Sequence, residues 1–518
     1  MRKRNIGFFF GAAGFIFAVA QPQSAIAETN SAGSLYPADT RQPTQASARK
    51  DEMGASEAAP VILRSGVVDN PALAKALGPA AYILDNIGVS NDFNSAIRLA
   101  VGRHPAYHSQ LTGLDGARAE RRRAKAALYP QLSTLFRGDY SLTRSFDPNT
   151  DNVVESLRPR EQFTVGLSAS QLVYDGGATF QRIKSARARD SEFRNSISAR
   201  INELSLAALA AYHDFATHQA LVALGDAFIL RHEKILNDVK ERERLGASSK
   251  ADVSRALARL AAAQARVFEI RESKQFAEIR YQEFFTSEPG LLRRPSFVAV
   301  SVDTRSQAMA LATGRSPEVA ISAARRTASQ ADYKAAKGAR LPEVRVSVDA
   351  VKFDVFDSGN DFDVRAGLVV NYNIFGGGAR AADIAQARAR ARQNQFTEEQ
   401  TREAVARDAA IAFERSVGAA ARLQALETAV IAHNQTRDLI LERYRVSRGD
   451  LIDVLQTEND YFEAGMAYLT GLANRDMAVY GLMEHTGDLL RFFSPQEEFA
   501  NAVAWADDAD SKDGAGNE

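Results

Sequence analysis

Two apolar spacings alternate along the chain. From Ala178 to Arg244, Ile197, Ile201, Leu204, Ala208, Ala211 and Phe215, then Val222, Ile229 and Leu236, recur every three or four positions within longer gaps. That is the stripe of a helix packed along a seam. A helix of this run would be about 100 Å long, at about 1.5 Å per residue. The pattern breaks at Leu245-Gly246-Ala247-Ser248-Ser249 and resumes through Val253, Leu257, Leu260 and Val267 to about Phe285. The spacing predicts a long helical hairpin over 178–285. Ala379 to Arg445 repeats the grammar with Phe413, Val417, Ala420, Leu423, Leu426 and Val430, then breaks near Gly449 before a further helix, which predicts a second hairpin over 379–487. No proline falls between Pro159 and Pro289 or between Pro342 and Pro495, so both stretches can hold helices of unusual length.

Ahead of each hairpin the spacing shortens to two. Leu132, Thr134, Phe136, Tyr140 and Leu142 alternate with polar residues, as do Phe163, Val165, Leu167 and Ala169. In the second half Val344, Val346, Val348 and Ala350 oppose Arg345, Ser347 and Asp349, and Val364, Ala366, Leu368 and Val370 oppose Asp363, Arg365 and Asn371. These predict strands over about 132–143, 163–174, 344–353 and 364–374, each apolar on one face. About ten residues is the length of a tilted strand that crosses an outer membrane. The alternative is a small soluble β-domain with its apolar face on a core, but two long hairpins leave little for that face to cover.

Punctuation is shared between the halves. His104-Pro105 and Ser316-Pro317 open helices, and Leu128-Tyr129-Pro130 and Arg340-Leu341-Pro342 close them, each pair offset by 212. Tyr174-Asp175-Gly176-Gly177 matches Ile374-Phe375-Gly376-Gly377 at 200, and Ala251-Asp252-Val253 matches Ile452-Asp453-Val454 at 201. Ordered self-similarity of this kind marks an internal duplication. The repeats are read as 91–300 and 301–495, mainly α with a small transmembrane β part.

The ends give an address. Arg2, Lys3 and Arg4, the apolar run Ile6 to Ala20 and the small-residue site Ala25-Ile26-Ala27 read as a cleaved signal peptide at 1–27. The run is shorter than the about 20 residues that span a bilayer. Residues 28–90, rich in Ala, Ser, Pro and Gly, read as a weakly ordered extension, and 496–518 as an acidic, solvated tail. Beyond the leader, 61 basic residues face 64 acidic ones, so bulk charge offers no nucleic-acid signal. No cysteine occurs, which removes disulfides, thiolate metal sites and a lipid-modified N-terminal cysteine. The seven histidines are scattered, Gly376-Gly377-Gly378 lacks the lysine of a phosphate loop, and no nucleophile elbow or metalloprotease motif appears. Neither an enzyme, a cofactor nor a metal site is expected.

Four strands in lipid would leave two unpaired edges, which hydrocarbon does not tolerate, so they would close with other copies. Two copies give eight strands and a filled interior; three give twelve and a passage. At this point the sequence resembles the TolC-like outer-membrane channel family. The likeness runs from about Asp92 to Arg491 and rests on Leu128-Tyr129-Pro130-Gln131-Leu132, Tyr174-Asp175-Gly176-Gly177-Ala178 and Ile452-Asp453-Val454-Leu455 in their duplicated order. It implies a homotrimer, a twelve-stranded barrel over an α-helical tube, a periplasmic adaptor and an inner-membrane transporter, of ABC type if the cargo is protein. Lacking the acylated cysteine of the lipid-anchored efflux branch, the chain is expected in the type I secretion branch. Small-molecule efflux is the alternative, and a pore-less periplasmic coiled-coil scaffold the competitor from another class.

The resemblance also implies a periplasmic constriction. Asp453 fits an inner aspartate ring, with Gln456 where some members carry a second aspartate. Tyr444 fits a tyrosine holding the closed state, with Asp252 as acceptor and Arg448 substituting for an arginine displaced by Gly449. The plainer alternative is that the aspartates only favour helix starts. One further feature comes from the residues alone. Cations crowd the helix ends beside the strands: Arg121, Arg122 and Arg123; Arg182, Lys184 and Arg187; Lys337 and Arg340; Arg388 and Arg390. They read as a basic collar touching anionic phospholipid heads at the inner leaflet of the outer membrane or as a lining of the tube below the barrel, with a solvated helix face as the alternative.

Overall fold

The computed structural model describes residues 70–83, 91–143, 145, 160–295, 302–353, 355, 361–446 and 448–494. The leader at 1–27 and the tail at 496–518 lie outside the described residues. Helices α1 (Pro71–Leu77), α2 (Pro79–Ile83), α3 (Asn91–Arg103) and α4 (Pro105–Ala126) precede strands β1 (Gln131–Tyr140) and β2 (Glu161–Tyr174). The hairpin α5 (Ala178–Arg244) and α6 (Lys250–Phe285) follows. The second half repeats this order as α7 (Arg305–Arg315), α8 (Pro317–Gly338), β3 (Glu343–Lys352), β4 (Phe362–Asn371), α9 (Ala379–Arg445) and α10 (Leu451–Thr486), closed by α11 (Asp488–Phe493). The duplication extends to length: α4 and α8 have 22 residues each, α5 and α9 67, α6 and α10 36.

Local chemistry sets these boundaries. His104 and Ser316 cap α4 and α8, each followed by a proline at the first helical position, where its missing N–H costs nothing. Gly176 and Gly177 take φ of 68° and 77° to turn β2 into α5. A Cβ at Gly176 would lie 2.4 Å from the Gly338 carbonyl oxygen, so the two halves cross backbone to backbone and only glycine fits. In the first hairpin loop Gly246 has φ of 70°, and Ser249 and Asp252 form a reciprocal capping box at the start of α6.

Among the described residues the three largest of five apolar clusters run along the helices. One gathers Ile97, Tyr107, Ile201 and Tyr480; a second Leu77, Leu224, Phe228 and Phe462; a third, toward the hairpin turns, Val239, Leu260, Tyr444 and Val454. Phe228 and Phe462 stack with centroids 4.2 Å apart. The α5 seam from Ile197 to Phe215 is buried at every position, whereas Val417, Ala420, Leu423 and Leu426 on α9 are half-buried and most of α9 is exposed.

The strands form one antiparallel sheet in the order β1-β2-β3-β4. Strands β1 and β4 are its open edges. Both ends differ from the alternation in the sequence. Strand β1 stops at Tyr140, and β4 stops at Asn371, which pairs with Glu343. Beyond Glu343 the partner strand ends at Pro342, which has no N–H to offer Tyr372 to Ile374. Strand β2 reaches Tyr174 because a register shift after Leu172 lets Tyr174 pair with Val344.

Residues 71–83 correct the expectation of weak order throughout 28–90. Asn70 Oδ1 accepts the Ala72 and Leu73 N–H groups at 3.1 and 3.3 Å, and Pro71 supplies the first helical position. Leu73, Ala76 and Leu77 enter the Phe228 and Phe462 cluster. Asn70 Nδ2 donates to Glu427 Oε1 at 2.6 Å, and the Tyr461 hydroxyl donates to the Ala76 carbonyl.

Candidate functional site

The sheet register sorts side chains by chemistry. Leu132 opposes Ala169, Phe136 opposes Val165, Leu167 opposes Ala350, Val346 opposes Leu368 and Val344 opposes Val370, all on one face. Gly138 on that face leaves room for the Phe163 ring, 2.9 Å from where a Cβ would be. The other face carries Arg137 with Asp139 at 2.7 Å, Arg345 with Glu343, Arg365 with Asp363, and Ser168 donating to Asp349. Among the described residues neither face is packed on a core. Every residue of β1 is exposed, and Leu132, Phe136, Phe362 and Leu368 are 65% exposed or more. A soluble β-domain would have buried this face. Among the described residues no helix is long and apolar enough to cross a membrane.

At the far end, the two hairpin turns differ in how they use their acids. Asp252 Oδ2 accepts from the Ser249 N–H and hydroxyl at 3.2 and 2.8 Å, and Oδ1 accepts from Arg255 at 3.2 Å. The Ser249 hydroxyl, then its N–H, hold the Asp252 carboxyl below the usual range. In the second hairpin Asp450 takes the place of Ser249, and its side chain makes no cap hydrogen bond. Asp453, three positions on, is exposed, and among the described residues its carboxylate has no partner; only its carbonyl accepts, from Thr457 at 2.8 Å. Gln456 is exposed one turn further and donates to Asp460 at 2.8 Å. Capping hydrogen bonds therefore account for Asp252, whereas Asp453 stands in the first turn of α10 without one, favoured there by the helix dipole alone.

Tyr444 is buried among Leu236, Val239, Leu451 and Leu455. Its neighbour is Arg242, whose guanidinium sits 4.3 Å from the ring centroid and donates to the Tyr444 and Arg445 carbonyls at 3.1 and 3.2 Å. Burial raises the Tyr444 hydroxyl, with Arg242 opposing and Asp252 reinforcing. Within one copy, among the described residues, Asp252 and Tyr444 share a field but no hydrogen bond. The Arg448 side chain is exposed and its N–H donates to the Arg443 carbonyl at 2.9 Å.

The collar divides. Arg121 turns inward to Asp190 at 3.4 Å, beside Arg194 at 2.7 Å, and is only 11% exposed. It braces α4 on α5 and does not face lipid. Arg182 leans to Asp175 at 3.9 Å and Lys337 lies 5.7 Å from the Tyr333 ring centroid. Arg122, Arg123, Lys184, Arg187, Arg340, Arg388 and Arg390 are exposed without an ion-pair partner among the described residues.

Periodicity gave no sign of a charged cluster at mid-length. Arg294, between α6 and α7, donates twice to Asp476 of α10, with Nη2 at 2.7 Å, and Arg475 Nε donates to the same carboxylate at 2.8 Å. Burial would push the Asp476 carboxyl up, but the two guanidinium groups hold it below the usual range. His213 faces it at 3.9 Å and is driven down to about 4, chiefly by burial. The cluster staples a linker to the core. The 182-residue separation of Arg294 and Asp476 hid it from local pattern.

Comparisons with known proteins agree with this geometry. Residues 308–488 match the family described as outer membrane efflux protein. The chain is 25% identical over 367 residues to outer membrane efflux protein BepC of Brucella suis biovar 1 (strain 1330), covering 70% of this chain and 78% of that one. Its fold is similar to that of the outer membrane protein VceC from Vibrio cholerae, with a TM-score of 0.66, 19% identity and coverage of 76% of this chain and 96% of that one. The CmeC outer membrane channel of Campylobacter jejuni gives a TM-score of 0.69 at 13% identity, covering 80% and 89%. The chain thus resembles the outer membrane efflux proteins over residues 308–488 and shares the fold of outer membrane channels, a likeness that places it in the cell outer membrane with a long helical extension into the periplasm.

Proposed function

We propose that the chain is the exit duct of a tripartite export system, a homotrimer that conducts cargo passively from an inner-membrane transporter and its periplasmic adaptor to the exterior. One observation carries the reading: a four-stranded sheet with one apolar face, one polar face, two open edges and no core beneath it. In hydrocarbon each unpaired backbone group costs several kcal/mol, so the edges must pair with those of other copies. Three copies would give twelve strands, with the Arg137, Arg345 and Arg365 face lining a wet passage. Helices α5 and α9, about 100 Å long, would continue the passage as a tube. Asp453, uncommitted to capping, would bring three carboxylates to the tube's narrow end, a ring that favours cations.

The cargo divides two readings. The absent cysteine supports type I protein secretion, with an ABC-type transporter as partner. The efflux designation of the BepC relative supports small-molecule efflux. Single-channel recording of the purified protein in planar bilayers tests the duct: discrete conductance supports it, and membrane-bound protein that never conducts overturns it. Identifying the transporter that co-purifies, and scoring the deletion strain for lost secreted protein against retained dye, separates the cargoes.

A further inference from the structure

At the foot of the sheet's apolar face lies a cleft of about 680 Å³ walled by Leu128, Tyr129, Phe180, Ile183, Lys184 and Arg187. We propose that it is a binding site for an anionic phospholipid of the inner leaflet, the cations holding the phosphate and the aromatic wall the upper acyl chain. The proposal rests on the reading that the strands lie in the membrane.

Position comes first. Gln171, in the same row as Ala169 and Val346 on the apolar face, donates from Nε2 to the Leu128 carbonyl at 2.5 Å. This ties the cleft wall to the foot of that face. Phe180 is 65% exposed and Tyr129 61%, so large rings continue the apolar band just below the strands, where amphipathic rings settle at an interface.

Direction comes second. Side chains on a helix lean toward its N-terminus. Helix α5 starts at the sheet and runs away from it, so Lys184 and Arg187 lean back toward the membrane. They stand about 10 and about 15 Å below Gly177 at about 1.5 Å per residue, and their stems reach part of the way back along the cleft wall. Helix α4 runs toward the sheet, so Arg122 and Arg123 lean away from it. Those two are exposed cations at the same level with the wrong aim.

Charge comes third. Lys184 and Arg187 are exposed and have no ion-pair partner among the described residues, so no carboxylate described in the chain neutralises them, whereas a lipid phosphate would.

The test is native mass spectrometry of the full-length protein extracted from outer membranes and exchanged into detergent micelles doped with phosphatidylglycerol or phosphatidylethanolamine. Wild type is expected to retain phosphatidylglycerol preferentially. Lys184→Gln and Arg187→Gln should each lower that preference about five-fold, the effect of about one charge near a lipid surface. Phe180→Ala should weaken retention of both lipids, and Arg122→Gln with Arg123→Gln should change neither. Equal retention by wild type and the Lys184→Gln/Arg187→Gln double variant, with both extracted from the outer membrane, overturns the lipid site and leaves the duct reading intact. Absence of wild type from the membrane fraction overturns both.

Discussion

Individual residues in this chain are forced into roles by what surrounds them. Arg294 and Asp476 are both nearly inaccessible, so removing Arg294 leaves the buried Asp476 carboxylate with Arg475 as its one remaining guanidinium donor. Arg294→Ala should cost about 3–5 kcal/mol of stability, measured by chemical denaturation. His213 and His232 are both held near a pKa of about 4, chiefly by burial, against 6.5 for a free histidine. Their folded pKa values are depressed, so the neutral forms are favoured in the folded state. The stability present above pH 6.5 should fall as the pH drops toward 4, because the unfolded chain takes up the protons first. Among the described residues neither His232 ring nitrogen has a hydrogen-bond partner, so His232→Phe should be neutral or stabilising at pH 7 and should flatten the acid limb of a stability profile. Asp453→Asn should leave folding unchanged and lower cation-over-anion selectivity, on the order of several-fold, in bilayer recordings. The sequence offered Asp453 and Asp252 as equivalents at an offset of 201; the capping box at Ser249 separates them, because Asp450 in the serine's place makes no such bond.

At the scale of elements, much was legible because long helices and paired strands announce themselves by period. The hairpin seam from Ile197 to Phe215 and the alternation from Val344 to Ala350 need no tertiary information. Strand ends did need it: Tyr372 and Ile374 continue the alternation, yet pairing stops where Pro342 ends the neighbouring strand. The α1 and α2 segment was hidden by its alanine-rich composition, although Asn70-Pro71 before Leu73 and Leu77 carries a cap and an apolar pair. This segment touches α5, α9 and α10 through Leu77, Glu427 and Tyr461. Leu77→Ala should cost about 2–5 kcal/mol, read as a fall in thermal midpoint. Tyr461→Phe, which leaves the Ala76 carbonyl without its donor, should cost about 1–3 kcal/mol.

For the whole molecule, the proposed trimer would cover what one copy leaves open. Most of α9 is exposed, both edge strands are open, and an apolar sheet face has nothing behind it. The inner joint between halves is closed by Gly176 against Gly338, whereas at the corresponding joint a Cβ on Gly377 or Gly378 would meet nothing within 4 Å. The exposed α9 follows directly on the β4 edge, where another copy would supply its β1 side. The chain has no cysteine, so this can be tested by introduced pairs. Within one sheet β1 and β4 are three strand spacings apart, about 14 Å, beyond the about 7 Å limit between Cα atoms for a disulfide. The decisive measurement places one cysteine at Thr134 in β1 and scans a second along β4 from Val364 to Val370, with oxidation in intact outer membranes and denaturing electrophoresis. The account predicts a register at which the protein migrates as a covalent trimer. Membrane-embedded protein that stays monomeric at every register would contradict it.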